Sequence, residues 1–275
     1  MKTAKTRVSL IWLSLMLISL FLAHSSYAII DLKNVAGVWL FDENDGDEVE
    51  DSSGNGNHGA LMGRPEWIDG KFGSALEFNG TNYVSIPDSE SLGMTEEVTV
   101  MFYFWTDKKM AVFDDRQAIV GKHYLEYEVG IYPAGAIHTY TNDGTGGGYD
   151  EGINTSITGK LEDKDADWIP EKWYHMAWTL NGQQETVYVN GINVGTFTKP
   201  NAGTKAQTHP LEIARRVGGS LPFVGAVDEV IILNIALEQE DVELAAEKGL
   251  EVALGITAVS PVGRLAKTWA AIKEQ

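Results

Sequence analysis

The sequence predicts an all-β protein, a sandwich or jelly roll of two antiparallel sheets. Three observations carry that prediction. About a dozen short runs are rich in Val, Ile, Phe, Tyr and Trp, several of them alternating with polar residues as half-buried strands do. Clusters of Gly, Asn, Asp and Pro interrupt those runs every few residues and mark turns. Helical periodicity is confined to residues 238–275, so the crossover helices of an α/β sheet are missing.

Residues 1–28 read as a secretory signal peptide rather than as part of the fold. Lys2, Lys5 and Arg7 form a basic start, Val8–Leu22 is nearly continuous apolar sequence, and Ser26-Tyr27-Ala28 is a small-x-small cleavage site. The apolar run is short for a membrane span. Losing the three basic residues would take the formal charge from −18 to −21. Such a surface repels nucleic acid and anionic membranes and attracts hard cations. The expected location is periplasmic or extracellular, without membrane insertion after cleavage. There is no cysteine, so a secreted fold of this size must rely on its core or on metal clips. Oligomeric state is not legible.

The main domain is expected over residues 29–237. Val35–Phe41 is its first strand. Residues 42–59, DENDGDEVEDSSGNGNHG, cannot be a helix. They can wrap carbonyls and carboxylates around a cation. They do not form an EF-hand, because Gly46 falls where an oxygen ligand belongs. Ala75–Phe78 and Tyr83–Ile86 flank an Asn79-Gly80 turn. Val98–Trp105 is apolar on both parities, as suits a central strand with two covered faces or an aromatic-lined inner strand. Ala118–Gly121, Leu125–Tyr132 and Ala136–Thr141 follow. In the second of these, Glu126 and Glu128 alternate with Leu125, Tyr127 and Val129, which predicts a half-solvated strand. Residues 142–167 read as an unusually long polar connection. Trp173–Leu180, Thr186–Val189 and Ile192–Phe197 form a ladder, with Asn190-Gly191 as a hairpin turn. Leu211–Ala214 and Phe223–Leu237 complete the set. The last of these buries Asp228 and Glu229 in an apolar run, where carboxylates require partners.

Residues 238–275 read as a helical tail. Glu238–Lys248 has an acidic first turn, and Gly249 stands at the C′ position. A second short helix is expected over Pro261–Lys273, with Ser260 as its cap.

Several stretches resemble the LamG-like, concanavalin A-like jelly-roll domains of secreted bacterial proteins. They are GVWLFDE (37–43), DSSGNGNHG (51–59), SALEFNGTNYVSIP (74–87), KWYHMAWTL (172–180), VYVNG (187–191) and VGAVDEVIILNIAL (224–237). The resemblance implies two curved sheets with the first and last strands adjacent. It also implies a calcium ion away from the concave face, for which Asp42, Asn57 and Asp228 are the expected side chains. Calcium takes six to eight oxygens, so backbone carbonyls and water would complete the shell. The alternative is that these acids only cap turns.

On function the expectation is a non-catalytic extracellular carbohydrate-binding module stabilised by calcium. Its partner would be a polysaccharide or a cell-surface glycan. Tyr103, Trp105, His138, Tyr140, Asn142 and Asp150 are the candidate ligand residues, on strands or a loop that could share one rim. The alternative is a structural or protein-binding module of the cell surface, with those aromatics filling the core. A glycoside hydrolase is the third reading. Related jelly-roll glucanases carry Glu-x-Asp-x-x-Glu on one strand, and this chain lacks that spacing, leaving only Glu126 and Glu128. Asp51, Ser52 and His58 stand too close in sequence for a triad, and His138, His175 and His209 have no ligand spacing.

Overall fold

The computed structural model describes residues 30–107, 116–132, 135–142, 150–155, 169–199 and 204–255. The expected signal peptide and the expected helix at Pro261–Lys273 lie outside them. Among the described residues the elements are β1 (Val35–Trp39), β2 (Glu48–Val49), β3 (Gly59–Met62), β4 (Glu66–Asp69), β5 (Ser74–Asn79), β6 (Tyr83–Ile86), β7 (Glu97–Thr106), β8 (Gln117–His123), β9 (Tyr127–Ile131), β10 (Ile137–Thr141), β11 (Asp150–Thr155), β12 (Lys172–Asn181), β13 (Gln184–Val189), β14 (Ile192–Thr198), β15 (Leu211–Ile213) and β16 (Val224–Leu233), then helices α1 (Gln239–Lys248) and α2 (Leu250–Ala253).

The strands form two antiparallel sheets, as the sequence predicts. The first runs β14-β13-β12-β7-β16-β5-β4, with β1 also paired to β16, and the second runs β11-β10-β9-β8-β15-β6-β3-β2. Strand parity divides the side chains into layers. Val98, Val100, Phe102 and Phe104 of β7 join Trp39, Trp178, Tyr127, Val129 and Ile137 in the core between the sheets. The opposite parity puts Met101 on the outer face of the first sheet, in a second apolar cluster with Val38, Ala177 and Ile231. Val242, Leu244 and Ala245 of α1 and Leu250 of α2 cover that cluster. A four-residue helix such as α2 has no independent stability, so this burial holds the described part of the tail on its own domain.

The two Asn-Gly turns do different work. Asn190 and Gly191, at φ 51° and 80°, join β13 to β14 as a hairpin. Asn79-Gly80 instead carries the chain from β5 in the first sheet to β6 in the second. Its geometry is local: Asn82 Oδ1 accepts from the Asn79 N–H at 2.9 Å, and Asn79 Oδ1 accepts from the Thr81 N–H at 2.9 Å. Turn chemistry reverses the chain without choosing the next partner. Two further differences concern polar segments. The 42–69 region contributes β2, β3 and β4, and the long 142–167 connection contains β11, paired with β10. These strands are short or weakly apolar, and neighbouring edges recruit them.

Candidate functional site

Two acid-bearing regions stand out, one on each sheet. The first is the junction where the sandwich closes. Strand β16 changes partner along its length: Val224–Val227 pair with β5, and Val230–Leu233 pair with β1. Between them the β16–β7 register shifts, and Glu229 takes a left-handed φ of 47°. That bulge lets both Asp228 and Glu229 leave the ladder. Asp228 Oδ2 accepts from the backbone N–H groups of Lys71 and Phe72 at 2.8 and 3.0 Å. Glu229 Oε2 accepts from the Leu250 N–H at 2.8 Å, tying the strand to α2. Asp42 Oδ1 accepts from the Ser74 N–H at 2.9 Å. Only glycine fits at position 73, where φ is 54° and a Cβ would lie 1.9 Å from Asp42 Oδ1.

Among the described residues no lysine, arginine or histidine side chain forms an ion pair with Asp42, Asp228 or Glu229. Asp228 and Glu229 are buried, and Asp228 Oδ1 has no hydrogen-bond partner. Burial pushes the Asp228 carboxyl up to about 7, with Asp42 adding to the effect against the two backbone donors. Burial likewise pushes Glu229 up to about 8, with Asp228 and Asp42 contributing. A bare buried carboxylate oxygen beside a second carboxylate fits a hard cation. No group of three or more His, Asp or Glu side chains is arranged around such an ion among the described residues. Most of any shell would therefore come from backbone oxygens and water.

Asn57 belongs to a different cluster. Its amide donates to Ala36 O at 2.8 Å and Ser91 Oγ at 2.9 Å, its N–H donates to Asp51 Oδ2, and its carbonyl accepts from Trp39 Nε1. Asp51 organises this cluster by also accepting from the N–H groups of Val38 and Ser53. The structure thus brings Asp42 and Asp228 together and leaves Asn57 pinning the Gly-Asn loop to β1. Asp51 thus caps its own turn through Ser53 and also fastens that turn to β1 through Val38.

The second region is the outer face of the second sheet. Tyr127, Val129, Ile131 and Ile137 point into the core, so Glu128, His138 and Tyr140 face outward. Glu128 receives Arg216 Nε at 2.8 Å and Arg216 Nη2 at 2.6 Å, and His138 Nε2 lies 3.4 Å away. The Arg216 guanidinium also stands over the rings of Tyr124 and Tyr140, at 4.8 and 5.0 Å. Arg116 donates to the Tyr140 hydroxyl at 2.5 Å and stacks over Tyr132 at 5.5 Å. Nearby, Glu126 takes Lys122 Nζ at 3.1 Å, and His209 Nδ1 lies 2.8 Å from it. The half-solvated strand expected from Glu126 and Glu128 is corrected here. Both are 1% exposed, because Arg216 and Lys122 supply opposite charge and the rings of His138 and His209 stand within contact of the carboxylate oxygens.

The six candidate ligand residues do not share a rim. Tyr103 lies on the outer face of the first sheet, opposite Asp228 and His175. There it is buried, and its hydroxyl donates to the carbonyls of Ala245 and Ala246 near the end of α1. Trp105 follows on the same parity, half-buried opposite Trp173. His138 and Tyr140 are on the other sheet, in ring contact at 5.0 Å. Asn142 is buried just past β10, and Asp150 opens β11 opposite Thr141. Sheet membership depends on long-range pairing, which strand periodicity does not encode. Nothing in the sequence marks Arg116 or Arg216 as site residues: Arg116 follows an Asp-Asp pair and Arg216 follows Arg215 ahead of a Gly-Gly turn, and neither pattern belongs to a recognition motif. His175 is buried against Tyr103 with neither ring nitrogen hydrogen-bonded, and burial pushes its imidazole down to about 3.

Comparison with known proteins adds the family. The family model described as concanavalin A-like lectin/glucanases superfamily matches residues 78–243. Comparison with curated proteins found no match. Among solved structures, domain 4 of AbnA, a GH43 extracellular arabinanase from Geobacillus stearothermophilus in complex with arabinotriose, is similar. The identity is 19% and the TM-score 0.59, over 78% of this chain and 98% of that one. The binding domain of Paraclostridial Mosquitocidal Protein 1 is 18% identical with a TM-score of 0.63, over 78% of this chain and 52% of that one. The binding domain of Botulinum neurotoxin DC, solved with rat synaptotagmin II, is 12% identical with a TM-score of 0.59, over 78% and 51%. This chain spans about half the length of the two toxin domains. At such identities the likeness is one of fold. No helix among the described residues is long and apolar enough to cross a membrane.

Proposed function

Since the chain belongs to the concanavalin A-like lectin/glucanases superfamily, we propose that it is a non-catalytic carbohydrate-binding module acting outside the cell, with its sugar site on the outer face of the second sheet. The supporting observation is the Tyr124–Arg216–Tyr140–Arg116–Tyr132 array, which combines aromatic rings with guanidinium donors in fixed positions. Sugar sites need that pairing of ring faces with oriented polar groups. The carboxylates there are poor catalysts. Burial works against it, but hydrogen bonds from His138 and Arg216 hold Glu128 below its ordinary range, whereas a glycosidase acid needs a raised one. Glu126 is likewise occupied by Lys122.

In this reading calcium fastens the closing junction, with Asp42 and Asp228 as its side-chain ligands. The ion would supply positive charge to these acids and join the start of the acidic loop, just after β1, to the last strand. The test of both ideas is a glycan array probed with the secreted chain in calcium and in chelator. Binding to a sugar family supports the module, and loss in chelator makes it metal-dependent. A second reading, a protein-binding module of the cell surface, is favoured by the burial of His138 and Tyr140 at 2% and 1% exposure. No sugar binding in either condition would leave that reading in place.

A further inference from the structure

Two stretches of the chain carry the Asn-x-Ser/Thr pattern of an N-glycosylation acceptor, Asn79-Gly80-Thr81 and Asn154-Thr155-Ser156. The fold treats them differently. Asn154 lies within β11, in the ladder opposite His138 of β10. Asn79 ends β5 and opens the turn that crosses to β6 in the second sheet. Asn79 and Thr81 are both exposed. Inside the turn the Asn79 N–H donates to Asn82 Oδ1 at 2.9 Å. Asn79 Oδ1 accepts twice from Thr81, from its N–H at 2.9 Å and from its hydroxyl at 2.7 Å. Both of these bonds fall on the amide oxygen, so neither occupies the nitrogen that would carry a sugar.

We propose that Asn79 is a modification site that carries an N-linked glycan, transferred outside the cytoplasm from a polyprenyl-diphosphate oligosaccharide; this rests on the extracellular placement above and not on the sugar site. In the transfer Asn79 Nδ2 forms a bond to the anomeric carbon of the donor sugar. The bond from that carbon to the diphosphate oxygen breaks, and the diphosphate leaves with the electron pair. A base of the transferase takes the Nδ2 proton. An amide nitrogen is a poor nucleophile, because its lone pair is delocalised into the carbonyl. The two Thr81 donors stabilise the negative charge that builds on Oδ1 as the proton leaves. The turn thus holds the hydroxyl that the pattern requires against the acceptor amide. Exposure makes the same turn reachable by an enzyme, and a surface loop of an exported chain is where such a glycan is carried. Asn154 would first have to be drawn out of its ladder with β10.

The experiment recovers the full chain from the exported fraction of the cells that make it and maps its glycopeptides by mass spectrometry. It compares wild type with Asn79→Gln, Thr81→Ala, Thr81→Ser and Asn154→Gln, and with a chain lacking residues 1–28. The expected result is sugar mass on the peptide containing Asn79 in wild type, Thr81→Ser and Asn154→Gln. That mass should be lost in Asn79→Gln and Thr81→Ala, and absent from the chain without its leader. Thr81→Ser keeps the hydroxyl, so sugar retained there while Thr81→Ala loses it ties the modification to that group rather than to folding. An exported wild-type chain with bare Asn79, or with sugar on Asn154 alone, overturns the inference and leaves the binding module standing. Sugar on the leaderless chain overturns the diphosphate-donor route. A full chain that stays in the cytoplasm removes the extracellular placement, and this inference with it.

Discussion

At the closing junction, Asp228 and Glu229 are buried with backbone N–H groups as their donors, whereas on the outer face of the second sheet Glu126 and Glu128 are buried against Lys122, His209, His138 and Arg216. Burial is nearly complete in both places, yet Asp228 and Glu229 move in the opposite direction from Glu128. Burial raises Asp228 and Glu229 to about 7 and about 8. Glu128, despite burial, is lowered by its partners. The lesson is that burial sets the size of the electrostatic stake and the partner sets its sign. A region already supplied with bases has nothing to gain from a solution cation. A region of buried acids without bases does.

The comparison can be broken most forcefully from the second sheet. Arg216→Ala strands Glu128 as a buried charge with only His138 beside it, and losing one partner of a buried pair costs about 3–5 kcal/mol. Urea denaturation should show that loss. A change under ~1 kcal/mol would mean that Glu128 is better hydrated than its 1% exposure implies.

Calcium should act only at the junction. An ion bound solely by the folded state at a hundred times its dissociation constant adds about 2.7 kcal/mol, so the melting temperature should rise by roughly 5–10 °C for a domain of this size. Asp228→Asn keeps an oxygen to accept from Lys71 and Phe72 but removes the charge. Its melting temperature in chelator should match or exceed that of wild type, and calcium should no longer raise it. A full calcium response in the variant would rule Asp228 out as a ligand.

A pH series in chelator sharpens the contrast further. Asp228 and Glu229 keep their protons in the fold at pH values where the unfolded chain has lost them. Their stabilising contribution is therefore full below the ordinary carboxylate range and is lost as pH rises through about 7 and about 8. His175 works the other way: its folded value of about 3 lies below the ordinary 6.5, so its cost grows as pH falls from 6.5 toward 3. Glu128, lowered from 4.5, contributes stability that is lost only in acid, as pH falls through its folded value. The window above pH 6.5 thus reports the junction acids, and stability there should fall toward pH 8.5. Saturating calcium should flatten the fall. A flat profile in chelator would show that the junction acids already ionise freely.

The smallest expected effect is at Tyr103. Tyr103→Phe removes the hydroxyl that donates to Ala245 and Ala246, worth about 1 kcal/mol. Amide exchange should quicken at the end of α1 and stay unchanged in the second sheet. Uniform quickening would mean that the helix is not a separate layer.

Much of this architecture was legible from residue order. The parity of Val98–Trp105, the Asn190-Gly191 hairpin and the helix ending at Gly249 all rest on neighbours within a few positions, and each appears as expected. Asp228 was legible as a buried acid in need of partners, because an apolar run surrounds it. What the acid would meet was only half legible: Asp42 lies beside it, but the loop 70–74 supplies its hydrogen bonds and Asn57 is engaged by Asp51. The expected ligand rim dissolved for the same reason. Tyr103 and Tyr140 look alike as aromatic strand residues, yet one packs beneath α1 and the other beside Arg216.

By itself the sequence determined that this chain is a two-sheet sandwich, with an acidic loop near one end, an acid-bearing strand near the other and a short helix after it. Period-two burial and turn chemistry act over a few residues, so they survive in one dimension. The tertiary structure alone decided which strands share a sheet, which face each aromatic occupies, and which buried acids meet a base. Those outcomes depend on contacts between residues as far apart as Lys71 and Asp228 or Glu128 and Arg216. No local preference specifies such pairings, because it is the collective packing of both sheets that brings the partners into reach.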